Sequence, residues 1–172
     1  MTRVNFYAVN GGFDASLSLA CRLAEKAFKQ NIDTLLFCAD EASAKQLDEL
    51  LWRHTETSFI PHQLIDPAQS HAQSTAQSTT QSTTQSTAQS TAPIGITWGE
   101  DTPEHHGMLI NLVGETPSWF GRFETLAEIV NTDPEQKKIK RERYSFYRDR
   151  GYPLAYHDLS KGQTDNAPQA KP

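Results

Sequence analysis

The chain predicts an α/β fold, a three-layer α/β/α sandwich with a mostly parallel sheet, Rossmann-like but without a nucleotide-binding loop. Three observations lead there. Apolar runs of strand length alternate with segments of helical period. The first strand pattern ends in a glycine turn. Thr34-Leu35-Leu36-Phe37-Cys38 is continuously apolar, as an inner parallel strand covered on both faces requires. Strand, helix, strand, helix in that order implies right-handed crossovers.

Val4 to Val9 reads as the first strand, with Asn10-Gly11-Gly12 as its turn. Ala15 to Lys29 has helical spacing, with Leu17, Leu19, Ala20, Leu23, Ala24 and Phe28 on one face and Arg22, Glu25, Lys26 and Lys29 on the other. Glu41 to Trp52 is a second helix, turning Ala44, Leu47, Leu50 and Leu51 inward. A connection rich in large residues follows, from Trp52 to His62. Residues 68–92 repeat Gln-Ser-Thr-Ala/Thr with no aliphatic side chain larger than alanine, so they are expected to form a disordered insertion. Closing such a loop costs only a few kcal/mol, because the entropy grows logarithmically with length. The expected organisation is one α/β domain over 1–67 and 93–159, interrupted by that insertion and followed by a disordered tail over 160–172.

Ile94 to Trp98 and Met108 to Val113 read as strands, Thr116 to Phe120 as a short helix, and Leu126 to Val130 as a possible last strand. Asp133 to Gly151 is a helix with its punctuation intact: Asp133 as N-cap, Pro134 at the first helical position, arginines in the last turn and Gly151 beyond it. At about 100° per residue, Ile139 and Phe146 form the expected core face. Lys137, Arg141, Tyr144 and Arg148 gather on the opposite side in a stripe roughly 60° wide. Tyr152 to Leu159 is an edge strand or a packed tail.

The net charge of −5 hides an asymmetry. Residues 137–150 hold seven Lys/Arg against two Asp/Glu, so this segment carries +5 and the remainder −10. Such a distribution disfavours a general duplex binder and suits a local site for an acidic peptide, a carboxylate or a few phosphates. Cys21 and Cys38, the only cysteines, sit in apolar runs and read as buried thiols of a reducing compartment. With no signal peptide at the N-terminus and no run approaching ~18 apolar residues, a cytoplasmic location is expected.

Catalytic and cofactor signals are missing. The turn Val9-Asn10-Gly11-Gly12-Phe13-Asp14 contains neither G-x-G-x-x-G nor G-x-x-x-x-G-K-[ST], and Asp14 opposes a phosphate. Glu104-His105-His106 lacks a third converging ligand, so no metal is expected. His62, after Pro61, reads as a local hydrogen-bonding residue, and no nucleophile elbow appears. Two features remain: the cationic stripe, and an aromatic group of Leu51, Trp52, Phe59 and Pro61 suited to a protein partner.

Phe6-Tyr7, Asp48-Glu49-Leu50-Leu51-Trp52, Ser58-Phe59-Ile60-Pro61-His62 and Arg141-Glu142-Arg143-Tyr144-x-x-Tyr147-Arg148 resemble the chi subunit of the bacterial DNA polymerase III holoenzyme. The resemblance runs from Val4 to about Gly151, around the repeat. It implies an adaptor without enzymatic activity or cofactor, touching DNA only indirectly. One surface would pair with the psi subunit of the clamp loader, through Trp52, Phe59, Pro61 and Leu51, and a helicase would compete for it. Another would hold the acidic C-terminal tail of single-stranded-DNA-binding protein, through Lys137, Arg141, Tyr144 and Arg148. Ser145 stands where the family often has a lysine, removing one cation. Residues 131–133 form a shorter approach to the helix than in some members. Both departures imply weaker tail binding. The competing readings are a nucleotide-dependent enzyme, which the missing phosphate loop argues against, and a direct single-stranded nucleic-acid binder using the basic helix, which one aromatic ring and the surrounding −10 disfavour.

Overall fold

The computed structural model describes residues 1–54, 59–67, 92–99 and 106–160. The Gln-Ser-Thr repeat, the segment from residue 161, Ser58 and the Glu104-His105 pair lie outside those residues. In chain order the elements are β1 (Arg3–Ala8), α1 (Phe13–Lys29), β2 (Thr34–Cys38), α2 (Glu41–Arg53), β3 (His62–Ile65), β4 (Ile94–Trp98), β5 (Met108–Asn111), a 3-10 turn (Ser118–Arg122), β6 (Thr125–Val130), α3 (Pro134–Asp149) and β7 (Leu154–Asp158). The strands form one sheet in the order β3-β4-β2-β5-β6-β1-β7, and every pairing is parallel.

Alternation along each strand divides the core in two. Leu36 and Ile110 face the layer of α1 and α2, where Leu17, Ala20, Leu47 and Leu51 meet them. Their neighbours Leu35 and Leu109 face the other way, toward Phe120 of the 3-10 turn and Tyr147 of α3. A period of two sends successive side chains to opposite faces, so an inner strand covered on both sides must be apolar throughout. Both cysteines lie in the α1/α2 layer, where burial pushes each thiol up to about 12. The Asp40 carboxylate caps α2 by accepting from the Ser43 N–H at 2.7 Å, and Asp133 caps α3 by accepting from the Glu135 N–H at 2.9 Å.

Several expectations change. The connection after α2 ends in a strand, β3, at one edge of the sheet. The segment after Pro117 is a 3-10 turn. Of the two readings of residues 152–159, the edge strand holds: Leu154–Asp158 adds β7 beside β1, so Val130 does not end the sheet. The larger correction concerns α3. Its buried residues are Lys140 and Tyr147, seven apart, whereas Ile139 and Phe146 are only half-buried on one flank. The stripe of Lys137, Arg141 and Tyr144 is therefore the other flank of the same buried face, not its opposite. Lys140 is what shifts the face, since a charged residue at the centre of a buried stripe runs against the hydrophobic pattern.

Candidate functional site

β1 and β6 are neighbours, yet their outgoing connections diverge. β1 leads into α1 on one face and on to β2 past β6; β6 leads into α3 on the other face and on to β7 past β1. A crevice opens outside the carboxyl ends of strands at such a switch point. It holds a cavity of about 670 Å³. Phe6, Ala8, Val9 and Asn10 contribute from β1 and its turn, and Val130, Asn131 and Thr132 from the end of β6. Lys137, Lys140, Arg141 and Tyr144 form the helix side, and Tyr156, Asp158 and Ser160 the β7 side.

Local chemistry fixes the rim. Gly11, at φ +127°, adopts a backbone that disfavours side chains, and a Cβ there would stand 2.8 Å from that of Ala15. The Gly11 carbonyl accepts from the Thr132 N–H at 2.9 Å and the Thr132 hydroxyl at 2.8 Å, tying the approach of α3 to the turn after β1.

A buried polar cluster sets the rotation of α3. Glu128 of β6 is fully buried and its carboxylate pairs with the Lys140 ammonium. It also accepts from the Tyr147 hydroxyl at 2.9 Å, the Thr116 hydroxyl at 2.8 Å and the Asn111 amide. The Lys140 ammonium donates further to the Val113 carbonyl at 2.8 Å, and the side chain is only 3% exposed. Burial, then the neighbouring Glu128 carboxylate, raises the Tyr147 phenol. Every oxygen of the carboxylate is thus bonded, which a buried ion pair requires to be tolerable.

With Lys140 and Tyr147 held inward, Lys137, Arg141 and Tyr144 turn to the groove. Lys137 and Arg141 are exposed, and among the described residues neither forms a salt bridge. The Tyr144 ring, 37% exposed, packs on buried Phe6 with centroids 5.3 Å apart. Arg148 lies outside the cavity lining, its guanidinium 3.4 Å from the Asp149 carboxylate. Sequence reasoning missed Lys140, Tyr156 and Asp158 as lining residues. The alternation Leu154, Tyr156, Asp158 marks one face of a strand, but the pairing of that strand with β1 spans most of the chain. Tyr156 has its phenol raised by burial first and by Asp158 second, with the Arg141 guanidinium opposing both.

The aromatic group lies elsewhere, at the end of α2 and the start of β3. Trp52 and Phe59 are 58% and 59% exposed and pack on each other in a tilted arrangement, with centroids 4.9 Å apart. His62 packs edge-on beneath Trp52, its Nδ1 2.6 Å from the Ile60 carbonyl oxygen. Its Nε2 stands 3.0 Å from an Asp48 carboxylate oxygen, without hydrogen-bond geometry. Pro61 is half-buried. Leu51 is in the core and presents no surface to a partner. Among the described residues no group of three His, Cys, Asp or Glu side chains could hold a metal, and no helix is long and apolar enough to cross a membrane.

Comparison with known proteins agrees with this architecture. Residues 1–155 match the family described as DNA polymerase III chi subunit, HolC. A DNA polymerase III subunit chi of Pseudomonas aeruginosa is 37% identical over 162 residues, covering 94% of this chain and 99% of that one. The Haemophilus influenzae and Escherichia coli proteins of the same name are 30% and 26% identical, with 85% and 96% of their lengths covered. Among solved structures, T4 UvsW is similar with a TM-score of 0.59 at 8% identity, over 92% of this chain and 42% of that one. The C-terminal domain of the DEAD-box protein Dbp5 gives 0.55 at 12% identity, over 91% and 90%. Likeness at such low identity concerns the fold alone.

Proposed function

This chain belongs to the DNA polymerase III chi subunit family, a replication accessory subunit, and we propose that it works as a non-catalytic adaptor joining two proteins. The groove between α3 and β7 takes the acidic C-terminal tail of single-stranded-DNA-binding protein. The Trp52–Phe59 patch takes the psi subunit, and a helicase using the same patch would exclude psi. The single observation that carries the reading is a groove with an aromatic floor and two exposed cations, Lys137 and Arg141, that form no salt bridge among the described residues, with Asp158 as the one acid of its lining.

An extended tail ending in an apolar residue needs an apolar slot, a partner for its terminal carboxylate and cations for upstream aspartates. Arg141 suits the terminal carboxylate, because its planar fork can bond both oxygens. Tyr144 and Phe6 wall the slot, Lys137 meets an aspartate, and Arg148 is left for acids beyond the groove. Exposed pairs contribute under ~1 kcal/mol each, and a partly desolvated Arg–carboxylate pair about 1.5–3 kcal/mol. Binding on the order of micromolar and strongly weakened by salt follows. Pull-down of psi and of single-stranded-DNA-binding protein with three chains tests the division of labour. Wild type is expected to retain both, Trp52→Ala to lose psi only, and Arg141→Ala to lose the tail only. Loss of both partners from either variant would sink the two-surface reading.

A further inference from the structure

We propose that Tyr156 is a further binding residue of the groove, an aromatic wall on the β7 side against which the ligand's terminal apolar side chain packs. The inference rests on the tail-binding reading and adds a contact that the helix alone does not supply. Its ligand is an acidic peptide ending in an apolar residue with a free carboxylate.

Register places the residue. Tyr156 pairs with Phe6 across the β1–β7 ladder, and residues directly opposite in neighbouring strands point to the same face. Phe6 is buried and lies under the Tyr144 ring. The cavity is thus floored by one ring and flanked by two others, Tyr144 from the helix and Tyr156 from the edge strand. Tyr156 remains 57% exposed, so this large ring is not consumed by the core. An exposed aromatic beside cations that form no salt bridge among the described residues, at the lip of a cavity, is the arrangement of an interface anchor. Arg141 and Tyr156 line the same cavity. The ring would take the terminal side chain while the guanidinium takes its carboxylate. Two flanking rings make a walled pocket, whereas sequence-tolerant nucleic-acid binding stacks successive bases along an open groove and relies on extended positive charge. Outside residues 137–150 this chain carries −10, which disfavours the second ligand.

The test is fluorescence anisotropy with the full chain and a labelled acidic peptide of that design, beside labelled oligo-dT. Tyr156→Ala is expected to weaken peptide binding roughly threefold to tenfold, as loss of an aromatic contact does. Tyr156→Phe, which keeps the ring, should bind within about twofold of wild type by the same measure. Tyr156→Thr puts a strand-favouring β-branched residue in place of the ring and should match the alanine variant; if that one folds poorly, the threonine variant decides. Should both ring-deleted variants bind like wild type while Arg141→Ala loses the peptide, the Tyr156 role is overturned and the tail reading stands. If wild type ignores the peptide, or takes oligo-dT in its place, both fall together.

Discussion

Lys140 carries a charge into an almost closed interior, and Glu128 meets it there. Removing one member of a buried pair leaves the other unpaired, which costs about 3–5 kcal/mol, whereas an apolar or neutral replacement of both is often tolerated. Lys140→Met alone should therefore lower the unfolding free energy by about that amount, measured by urea denaturation. Adding Glu128→Gln should recover most of the loss; additive losses would mean that the pair is not coupled. This cluster was hidden in the sequence for a physical reason. Lys140 sits in a run of cations where solvent exposure is the ordinary expectation, and its partner lies in a strand otherwise made of Thr125, Leu126, Ala127, Ile129 and Val130. Only the fold brings β5, β6 and α3 to one point. Leu51 misled in the opposite way: its neighbour Trp52 faces out, and helical spacing turns adjacent positions about 100° apart.

At the scale of elements, α3 was the most legible. Asp133, Pro134 and Gly151 mark its limits, and local hydrogen bonding alone decides those positions. Its facing was not legible, because the tyrosine and lysine that point inward are satisfied by residues distant in sequence. The cap also matters to the groove, since Lys137 follows Asp133 by one turn and its N–H bonds the Asp133 carbonyl at 2.9 Å. Asp133→Ala should cost about 1 kcal/mol of stability, or roughly 3 °C in melting temperature for a chain of this size. It should also weaken tail binding by fraying the first turn; an unchanged melting curve would show that the cap contributes nothing. The strands β2 and β4 were readable from apolar runs, whereas β3 was not and β7 was readable only as one of two alternatives. Both are edge strands with mixed composition, and only pairing to β4 and β1 distinguishes them from loops.

Across the whole molecule, the groove and the aromatic patch occupy opposite corners. The groove follows the ends of β1 and β6, while the patch precedes the start of β3. Five interstrand spacings separate β3 from β1, on the order of 24 Å at about 4.8 Å each. Surfaces so far apart with no shared side chain should act independently. Saturating psi should therefore change the tail peptide's dissociation constant by less than about twofold, checked by anisotropy at fixed salt. A larger shift would reveal coupling through the sheet. The layered α/β architecture was legible because alternation and apolar runs report it directly; the distance between the two sites depends on strand order, which no local pattern carries. Strand order has one more consequence, for synthesis on the ribosome. Domains tend to fold as the chain emerges, beginning at the amino end. The groove's helix and edge strand come from residues beyond 130, long after Trp52 and Phe59 have left the exit tunnel. A translation product stopped before residue 130 would carry the aromatic corner without α3 and β7, the two elements that wall the groove on its helix and edge-strand sides.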